Sequence, residues 1–545
     1  MAKLADAVPD ARITGKQWIK VLEGQSVYLA QTLPTQLAGE SSVDDFLALH
    51  GKEQIVTTPE AALNIFSATG LRSIFSVSSP NADFTLHCLE RPQFSFPPLL
   101  PATPSYSPFG VPTVNDWQKL WAAWDMVTLG MIPQEMLHQK PIDLRHICLF
   151  YIGHIPTFLD MLMSKALNEP NTEPQNFTLI FERGIDPHVD DPEHCHRHSE
   201  VPEKDDDWPT LASILGFRDR VRARLLQLYK DLQSGTRTPN RHIARMLAMT
   251  HEHEGWHVET LLYMLIQRAG TGTLPPSGFT VPPWKALAEQ WNATIRPPST
   301  PTVTLGPASV ILGHQDCEGD DLKSGITEAI DGHEFGWDNE SPPRATEVKQ
   351  IKMDWRPITN AEFLTFYQDH KEVGLPPSWV ETEGGIEVRT LYGPVPMAVA
   401  QHWPVLTSYD GLSAYAKSKG GRLPTEPELR LFFDTYEVGH SGGANVGFRN
   451  WHPVPATTGL GEFNGRGSNG GVWEWTSTLL SDHEGFYPTK HFPGYSTDFF
   501  DGKHHVALGG SYATIPRQAG RRTVRNFYQH NYPYPWVGAR VVYDA

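Results

Sequence analysis

Two histidines, His253 and His257, stand four residues apart in a segment whose composition favours a helix. On a helix this spacing places both imidazoles on one face, about one turn apart. The same face continues, at helical spacing, through Ile243, Met246, Thr250, Thr260 and Met264, so the imidazoles point toward the protein interior. Because neutral imidazole is the commonest metal ligand in proteins, the pair predicts a metal site. A hydrogen-bonded pair of core histidines is the plainer interpretation of the same pattern.

The segment also fits the HExxH pattern, in which Glu254 would be the general base of a zinc hydrolase. Such an enzyme needs a third metal ligand shortly downstream or on a following helix. Residues 270–283 are rich in Gly and Pro and contain no histidine. Glu259 lies two residues past His257, roughly 200° around a helix, which makes it a poor partner. The third ligand is therefore expected upstream.

His154 is the upstream candidate, on the apolar side of a second predicted helix. A lone histidine in that position is usually a core residue, but a third inward imidazole would complete a three-histidine site. Helical patterns over residues 114–137, 144–167, 210–232 and 241–268 predict a four-helix bundle whose core holds ligands from facing helices.

The loop between the second and third helices is rich in histidine: His188, His194, His196 and His198 flank Cys195. A polar loop is favoured over a zinc site, because these histidines have no helix or turn to frame them. Arg183, at the start of this loop, is a candidate clamp for a substrate carboxylate. A surface salt bridge is an equally good interpretation of this arginine.

Composition excludes several classes of protein. A net charge of −17 over 545 residues argues against a nucleic-acid binder. No run of about 18 apolar residues is available to span a membrane, and the first residues lack an apolar signal core. Four scattered cysteines, without CxxC spacing, fit a reducing compartment and hence a cytoplasmic enzyme. Nothing in the sequence specifies an oligomeric state.

Changes in composition and in the pattern of predicted elements divide the chain into segments and predict an α+β multidomain protein. Residues 1–92 read as an α/β accessory segment, with strands over 18–21, 26–29 and 84–89 and helices over 42–49 and 59–69. A Pro-rich linker covers 93–112, and the helical bundle covers 113–275. Residues 302–545 have short strands, many Gly and Trp, and few helices.

The last segment carries an ordered set of motifs. RLPTE ends at Glu426, GGVWEWT ends at Thr476, GGS ends at Ser511 and GAR ends at Arg540. Together they resemble the formylglycine-generating-enzyme-like (C-type-lectin-like) fold. Formylglycine formation itself is not expected, because that reaction needs two reactive cysteines and this segment has only Cys317. Combined with an upstream DinB-like bundle bearing HxxxHxE, the chain resembles the ergothioneine-biosynthesis sulfoxide synthases, most of all the fungal ones.

That resemblance implies Fe(II) held by His154, His253 and His257, with hercynine, cysteine and O2 as substrates and hercynylcysteine sulfoxide as product. It implies a catalytic tyrosine, for which Tyr495 and Tyr487 are candidates. It also suggests substrate contacts from Arg183, Trp256, Trp473, Arg525, Asn526 and Phe527. Residues 1–92 would then correspond to the tail of a preceding methyltransferase and would be inert.

Two departures from the bacterial members bear on the substrate. Trp256 stands where they place a Gln, and no acidic residue follows the pair Arg525–Asn526 closely. The second departure favours free cysteine over γ-glutamylcysteine as the thiol. An ovothiol-type synthase acting on histidine, a zinc hydrolase and a non-catalytic binding module remain the alternatives.

Overall fold

The computed structural model describes five strands within residues 16–90 and most of residues 94–544. Outside the description in that second stretch lie residues 98, 101, 104–106, 186–188, 191–197, 268–272, 274, 296–299, 324–329, 437–443 and 458–466. The helices predicted over 42–49 and 59–69 and most of the histidine-rich loop therefore fall outside the described residues.

The α-helices and strands alternate in a mixed order along the chain. They are β1 (Lys16–Val21), β2 (Gln25–Ala30), β3 (Gln54–Thr57), β4 (Arg72–Ser78), β5 (Thr85–Glu90), α1 (Val114–Thr128), α2 (Cys148–Leu167), α3 (Phe177–Phe181), α4 (Leu211–Ser234), α5 (Arg241–Gln267), α6 (Trp284–Thr294), β6 (Thr302–Leu305), β7 (Ala308–Leu312), β8 (Arg344–Val348), β9 (Ile351–Asp354), α7 (Asn360–Asp369), β10 (Trp379–Thr382), β11 (Gly385–Thr390), β12 (Gly393–Pro396), α8 (Met397–Ala400), α9 (Tyr409–Ser418), α10 (Glu426–Tyr436), β13 (Trp473–Leu479), β14 (His504–Gly509), α11 (Pro516–Gly520), β15 (Asn526–Gln529), β16 (Val537–Gly538) and β17 (Val542–Asp544).

The chain folds into two compact units. The first comprises residues 1–97 and 280–296. It contains a five-stranded sheet in the order β1-β2-β3-β5-β4, in which only β2 and β3 pair in parallel. The three strands predicted in this segment are confirmed as β1, β2 and β5.

The second unit comprises residues 98–279 and 297–545. The bundle and the motif-rich segment, predicted as separate domains, thus lie in one compact unit. The four predicted helices are confirmed as α1, α2, α4 and α5. The first is shorter than predicted, because the chain leaves the helix after Thr128 and turns at Gly130. Among the described residues, no helix has the length and apolarity needed to cross a bilayer.

The C-terminal part of this unit is built from small sheets and short helices, as its short predicted strands and its many Gly and Trp residues indicate. The described sheets run in the orders β15-β14-β13-β16, β17-β9-β6, β10-β11-β12 and β7-β8. Helix α10 packs with strands β6, β9, β14 and β17 in one apolar core that includes Met353, Leu429 and Val506. Burial of that core positions the loops around β14 and β15, which face the bundle.

Helix α2 is buried almost all round, from Cys148 to Asp160 without interruption. A helix that is apolar on every side must lie inside the protein. Its closest packing is at Gly153, where an added Cβ would stand 2.6 Å from Cε1 and Cζ of the Phe181 ring. This glycine lets α3 approach the helix that carries His154.

We predict that Gly153→Ala destabilises the protein by about 1–3 kcal/mol, because the ring of Phe181 must move to admit the methyl group. The matched control is Gly216→Ala in α4, where the nearest neighbouring atom is Nη1 of the flexible Arg220 side chain at 3.5 Å. That control should gain about 0.5–1 kcal/mol from helix propensity. Urea unfolding followed by circular dichroism measures both changes, and equal stability of the two variants would contradict this packing.

Candidate metal centre

Three histidines from two helices meet at one point. One ring nitrogen each from His154 of α2 and from His253 and His257 of α5 all lie within 4.8 Å of one another. The ring centroids of His253 and His257 are 4.6 Å apart, and that of His154 lies 5.2 Å from His253 and 4.8 Å from His257. The helical spacing and the apolar face predicted this arrangement, and the structure brings the three residues together.

Hydrogen bonding and ring packing set the orientation of each imidazole. Nδ1 of His154 lies 2.6 Å from the carbonyl oxygen of Phe181. Because a carbonyl only accepts, this contact places the proton on Nδ1 and leaves the lone pair of Nε2 for another partner. His253 stacks on the ring of Phe158, with centroids 3.7 Å apart. Such hydrogen bonds and ring contacts hold His154 and His253 in the orientation that metal binding requires.

Burial favours the neutral form of two of the three imidazoles. Burial, followed by the proximity of His257 and His154, lowers the pKa of His253 well below its usual value. Burial, His154 and then Arg145 do the same to the pKa of His257. Neutral imidazoles present the lone pairs that a transition metal requires.

These residues fit a bound metal ion, since three converging nitrogen donors are a common donor set for iron, zinc and copper. The buried Nδ1 of His257 has no hydrogen-bond partner among the described residues. An unpaired polar atom at such depth is costly unless a ligand satisfies it. The cluster is therefore a candidate metal centre rather than a set of hydrogen-bonded core histidines.

A cavity of about 220 Å³ opens beside the three histidines. The bundle supplies one wall, including Tyr151, Thr260 and Met264, and the C-terminal part supplies the other, including Phe492 and Phe527. The described lining residues include Arg145, Arg183 and His504 but no Asp or Glu. The site thus lies between the bundle and the C-terminal part, and not within the bundle core as its sequence suggests.

Of the two candidate tyrosines, Tyr495 lines this cavity and Tyr487 does not. Its ring stacks on Trp337 with centroids 4.1 Å apart and planes inclined by 25°. Nε1 of Trp337 donates to the Glu252 carboxylate at 2.8 Å. Burial, and then the charges of Asp338 and Glu340, raise the pKa of Tyr495 well above its usual value. The phenol is therefore protonated and held in a single orientation.

Four of the six predicted substrate contacts also line the cavity: Arg183, Trp256, Asn526 and Phe527. The guanidinium of Arg183 is paired with the carboxylate of Asp498 at 2.7 Å. The amide of Asn526 donates to the Tyr528 hydroxyl at 2.9 Å. Nε1 of Trp256 is buried and has no partner among the described residues.

The structure places the other three predicted residues, Tyr487, Trp473 and Arg525, away from this cavity. Tyr487 lines a separate cavity of about 190 Å³ together with Cys317. Trp473 is fully buried behind Trp256 and donates to Glu259 at 2.8 Å. Arg525 is buried and paired with Glu426, at 2.8 and 3.0 Å, because its buried charge requires a carboxylate partner.

Several lining residues were missed by sequence reasoning. Tyr151 lies one helical turn before His154, and Tyr528 lies two residues after Asn526 on strand β15. Helical and strand periodicity predict that both share a face with the assigned residues. Arg145 and Tyr532 lie outside regular elements, so no periodic signal identifies them.

Comparisons with known proteins divide the chain in the same way. Residues 115–261 match the DinB superfamily, and residues 316–449 match the sulfatase-modifying factor enzyme 1-like domain. Ergothioneine biosynthesis protein 1 of Neurospora crassa is 35% identical over 98% of this chain and 69% of its own length. The protein of the same name from Schizosaccharomyces pombe is 34% identical, over 85% of this chain and 59% of its own. Hercynine oxygenase of Mycobacterium tuberculosis is 29% identical over 38% of this chain and 56% of its own.

We predict that His154→Ala, His253→Ala and His257→Ala each abolish stoichiometric metal retention and leave the helices folded. The matched control is His251→Leu on the same helix. His251 is equally buried, but its ring packs edge-on against Trp117, 5.0 Å away, and not against the other three histidines. Elemental analysis after anaerobic iron loading and desalting measures retention. A histidine variant that keeps full occupancy would remove that residue from the ligand set.

Proposed function

This chain belongs to the ergothioneine biosynthesis protein 1 family, and on that basis we propose that it uses iron to join hercynine to cysteine, giving hercynylcysteine sulfoxide. The observation that carries the proposal is the cluster of three histidines opening on a cavity that is also lined by a half-buried, protonated tyrosine. The chain spans 69% and 59% of the lengths of the two relatives that bear the family name. The cytoplasmic location expected from its cysteines is part of the same proposal.

The overall reaction balances with O2 as the only oxidant. The C–H bond at carbon 2 of the hercynine imidazole and the S–H bond of cysteine are both lost, and a C–S bond forms between them. One oxygen atom goes to sulfur as the sulfoxide, and the other leaves as water with the two hydrogens. His154, His253 and His257 would hold the iron, which would supply the activation of O2 and the electron transfers.

Residues of the chain bind and orient the two organic substrates. The trimethylammonium group of hercynine favours aromatic faces, and Phe492, Phe527 and Trp256 provide them on the cavity wall. Three imidazoles would hold the metal, and the cavity beside them would admit the thiol and O2.

Tyr495 is proposed as the proton donor of the reaction. Its pKa, raised by burial, keeps the hydroxyl protonated at neutral pH. Stacking on Trp337, which is itself tied to Glu252, holds the phenol at the cavity wall. A donor held in this way needs no large rearrangement when the reaction demands a proton.

The zinc-hydrolase alternative requires Glu254 beside the metal. Glu254 is not among the described lining residues, and the charges that reach it come from Arg222, Asp125 and Arg218 on α4 and α1. Burial, the largest effect, raises the pKa of this carboxyl to about 8. Glu254 therefore faces the bundle interior, which disfavours the role of general base.

The proposed function is tested by loading the protein with iron without oxygen, adding hercynine and cysteine, and then admitting O2. We expect a product whose mass equals both substrates plus one oxygen atom less two hydrogens, joined at imidazole carbon 2. Glu254→Gln should form the same product at a rate within about threefold of wild type. Efficient turnover of histidine in place of hercynine would favour the ovothiol-type alternative, and loss of activity in Glu254→Gln with iron retained would favour a hydrolase-like role for this carboxylate.

We predict that free cysteine has a higher kcat/KM than γ-glutamylcysteine, with hercynine saturating. γ-Glutamylcysteine adds a second carboxylate and carries its ammonium at the far end of the glutamyl group, and the described cavity wall contains no carboxylate to pair with an ammonium there. Leaving a buried polar or charged group unpaired costs roughly 1–3 kcal/mol or more, equivalent to about tenfold or more in selectivity. Both thiols competing in one reaction, with products separated by mass, give the ratio directly. An equal or higher kcat/KM for γ-glutamylcysteine would contradict this prediction and would mean that the site contains an acidic partner for the glutamyl ammonium.

A further inference from the structure

Two arginines of the C-terminal part share one carboxylate. Arg525 takes both oxygens of Glu426, to which its Nε and Nη2 donate at 2.8 and 3.0 Å. Arg344, at the start of β8, approaches the same carboxylate only to 3.8 Å, which is beyond hydrogen-bond distance. Because one carboxylate balances one guanidinium, the positive charge of the second arginine is not matched by this pairing.

The guanidinium of Arg344 has an unused donor. Its side chain is 22% exposed, yet its Nη1 is buried and has no hydrogen-bond partner among the described residues. Burial, and then the charge of Arg525, lower the pKa of Arg344, and Glu426 offsets only part of this effect. Arginine nevertheless stays charged in proteins. A buried N–H of a charged group is costly without an acceptor, and the described side chains supply none.

His483 lies beside the two arginines and has the same deficit. Both of its ring nitrogens are buried and lack a hydrogen-bond partner among the described residues. Burial, and then the charges of Arg344 and Arg525, lower its pKa, so that the neutral ring keeps one N–H donor. The carbonyls of Asn339 and of His483 itself oppose part of this shift. The carbonyl of Asn339, however, already accepts from Arg525 at 3.0 Å.

Neighbouring acidic residues do not supply the missing acceptor. Asp482 and Glu484 flank His483 in the chain, but both are exposed. Within the described part of the chain, Glu426 is the carboxylate that lies within 4 Å of the Arg344 guanidinium. The donors of Arg344 and His483 therefore call for an acceptor from outside the chain. Both side chains are half-buried, so a small solute can reach them.

From these contacts we propose that Arg344 and His483 form a binding site for a small oxyanion of the phosphate or sulfate class. A guanidinium fork and an imidazole N–H are suited to such an anion. The bound anion would balance the charge of Arg344 and leave Glu426 wholly to Arg525, whose neighbour Asn526 begins β15 and lines the cavity beside the three histidines. The inference does not depend on the proposed function, because neither Arg344 nor His483 lines that cavity.

Titration calorimetry of the iron-loaded full chain with inorganic phosphate tests the site, with sodium chloride holding the ionic strength constant. We expect one equivalent to bind with a Kd of about 1 mM or below, since its contacts are charge-assisted. Arg344→Met keeps the apolar stem of the side chain and should weaken binding of this equivalent at least about tenfold. Arg344→Lys should retain part of the affinity, because it keeps the charge without the paired donors.

His483→Phe is the second variant, in case Arg344→Met does not fold. It keeps a ring against Phe486, whose centroid is 5.9 Å away, and should weaken phosphate binding by about 3- to 30-fold through the loss of one donor. Arg389→Met on β11 is the matched control. Arg389 is also half-buried and burial also lowers its pKa, but its Nε donates to the carbonyl of Trp379 at 3.2 Å. The control should bind phosphate as wild type does.

Hydrogen–deuterium exchange with and without phosphate locates the bound anion. We expect phosphate to slow exchange in the segments that contain Arg344 and His483 and to leave β11 unchanged. Sulfate should reproduce this protection, and acetate or chloride at the same ionic strength should not. Unchanged phosphate affinity in both Arg344→Met and His483→Phe would overturn the inference. Equal protection by chloride would also overturn it, because charge screening would then explain the effect.

Discussion

Two buried carboxylates on helix α5, those of Glu252 and Glu259, accept hydrogen bonds from side chains of the C-terminal part of the chain. Glu252 accepts from Arg517, Arg521 and Trp337 at distances of 2.5–2.8 Å. Burial would raise the pKa of this carboxyl, but the guanidinium groups of Arg521 and Arg517 lower it to about 2. An unpaired charge at this depth would cost several kcal/mol, so α5 cannot separate from the C-terminal part without a large penalty.

The pairing of Glu252 with the C-terminal part brings the bundle and that part together around one site. Glu252 immediately precedes His253 in the chain, and the indole that binds it, Trp337, also stacks on Tyr495. The pairing that attaches α5 to the C-terminal part therefore places the candidate proton donor opposite the three histidines of the candidate metal centre. Glu259, two residues beyond His257, also accepts hydrogen bonds from the C-terminal part, from the indole of Trp473 and the hydroxyl of Thr514. A DinB-like bundle alone would present the three histidines without the opposite wall.

The parts of the site that depend on local periodicity could be predicted from the sequence, and those that depend on distant pairing could not. His253 and His257 follow from a four-residue spacing on an apolar helix face, and His154 follows from its place on a second such face. Arg525 resembled a substrate ligand because nothing local reveals that Glu426, 99 residues away, neutralises it. Tyr495 and Tyr487 could not be distinguished, since both lie in a loop region without periodic pattern. Arg145 precedes its helix and had no signal at all.

We propose that the three imidazoles, with no other side chain of the described residues, hold one iron ion between the bundle and the C-terminal part. Iron K-edge X-ray absorption of the anaerobically loaded protein tests it most directly. The structure predicts scattering from three imidazole rings with light-atom neighbours completing the shell, and a sulfur neighbour only after cysteine is added. A sulfur neighbour before cysteine is added, or fewer than three imidazoles, would contradict this account.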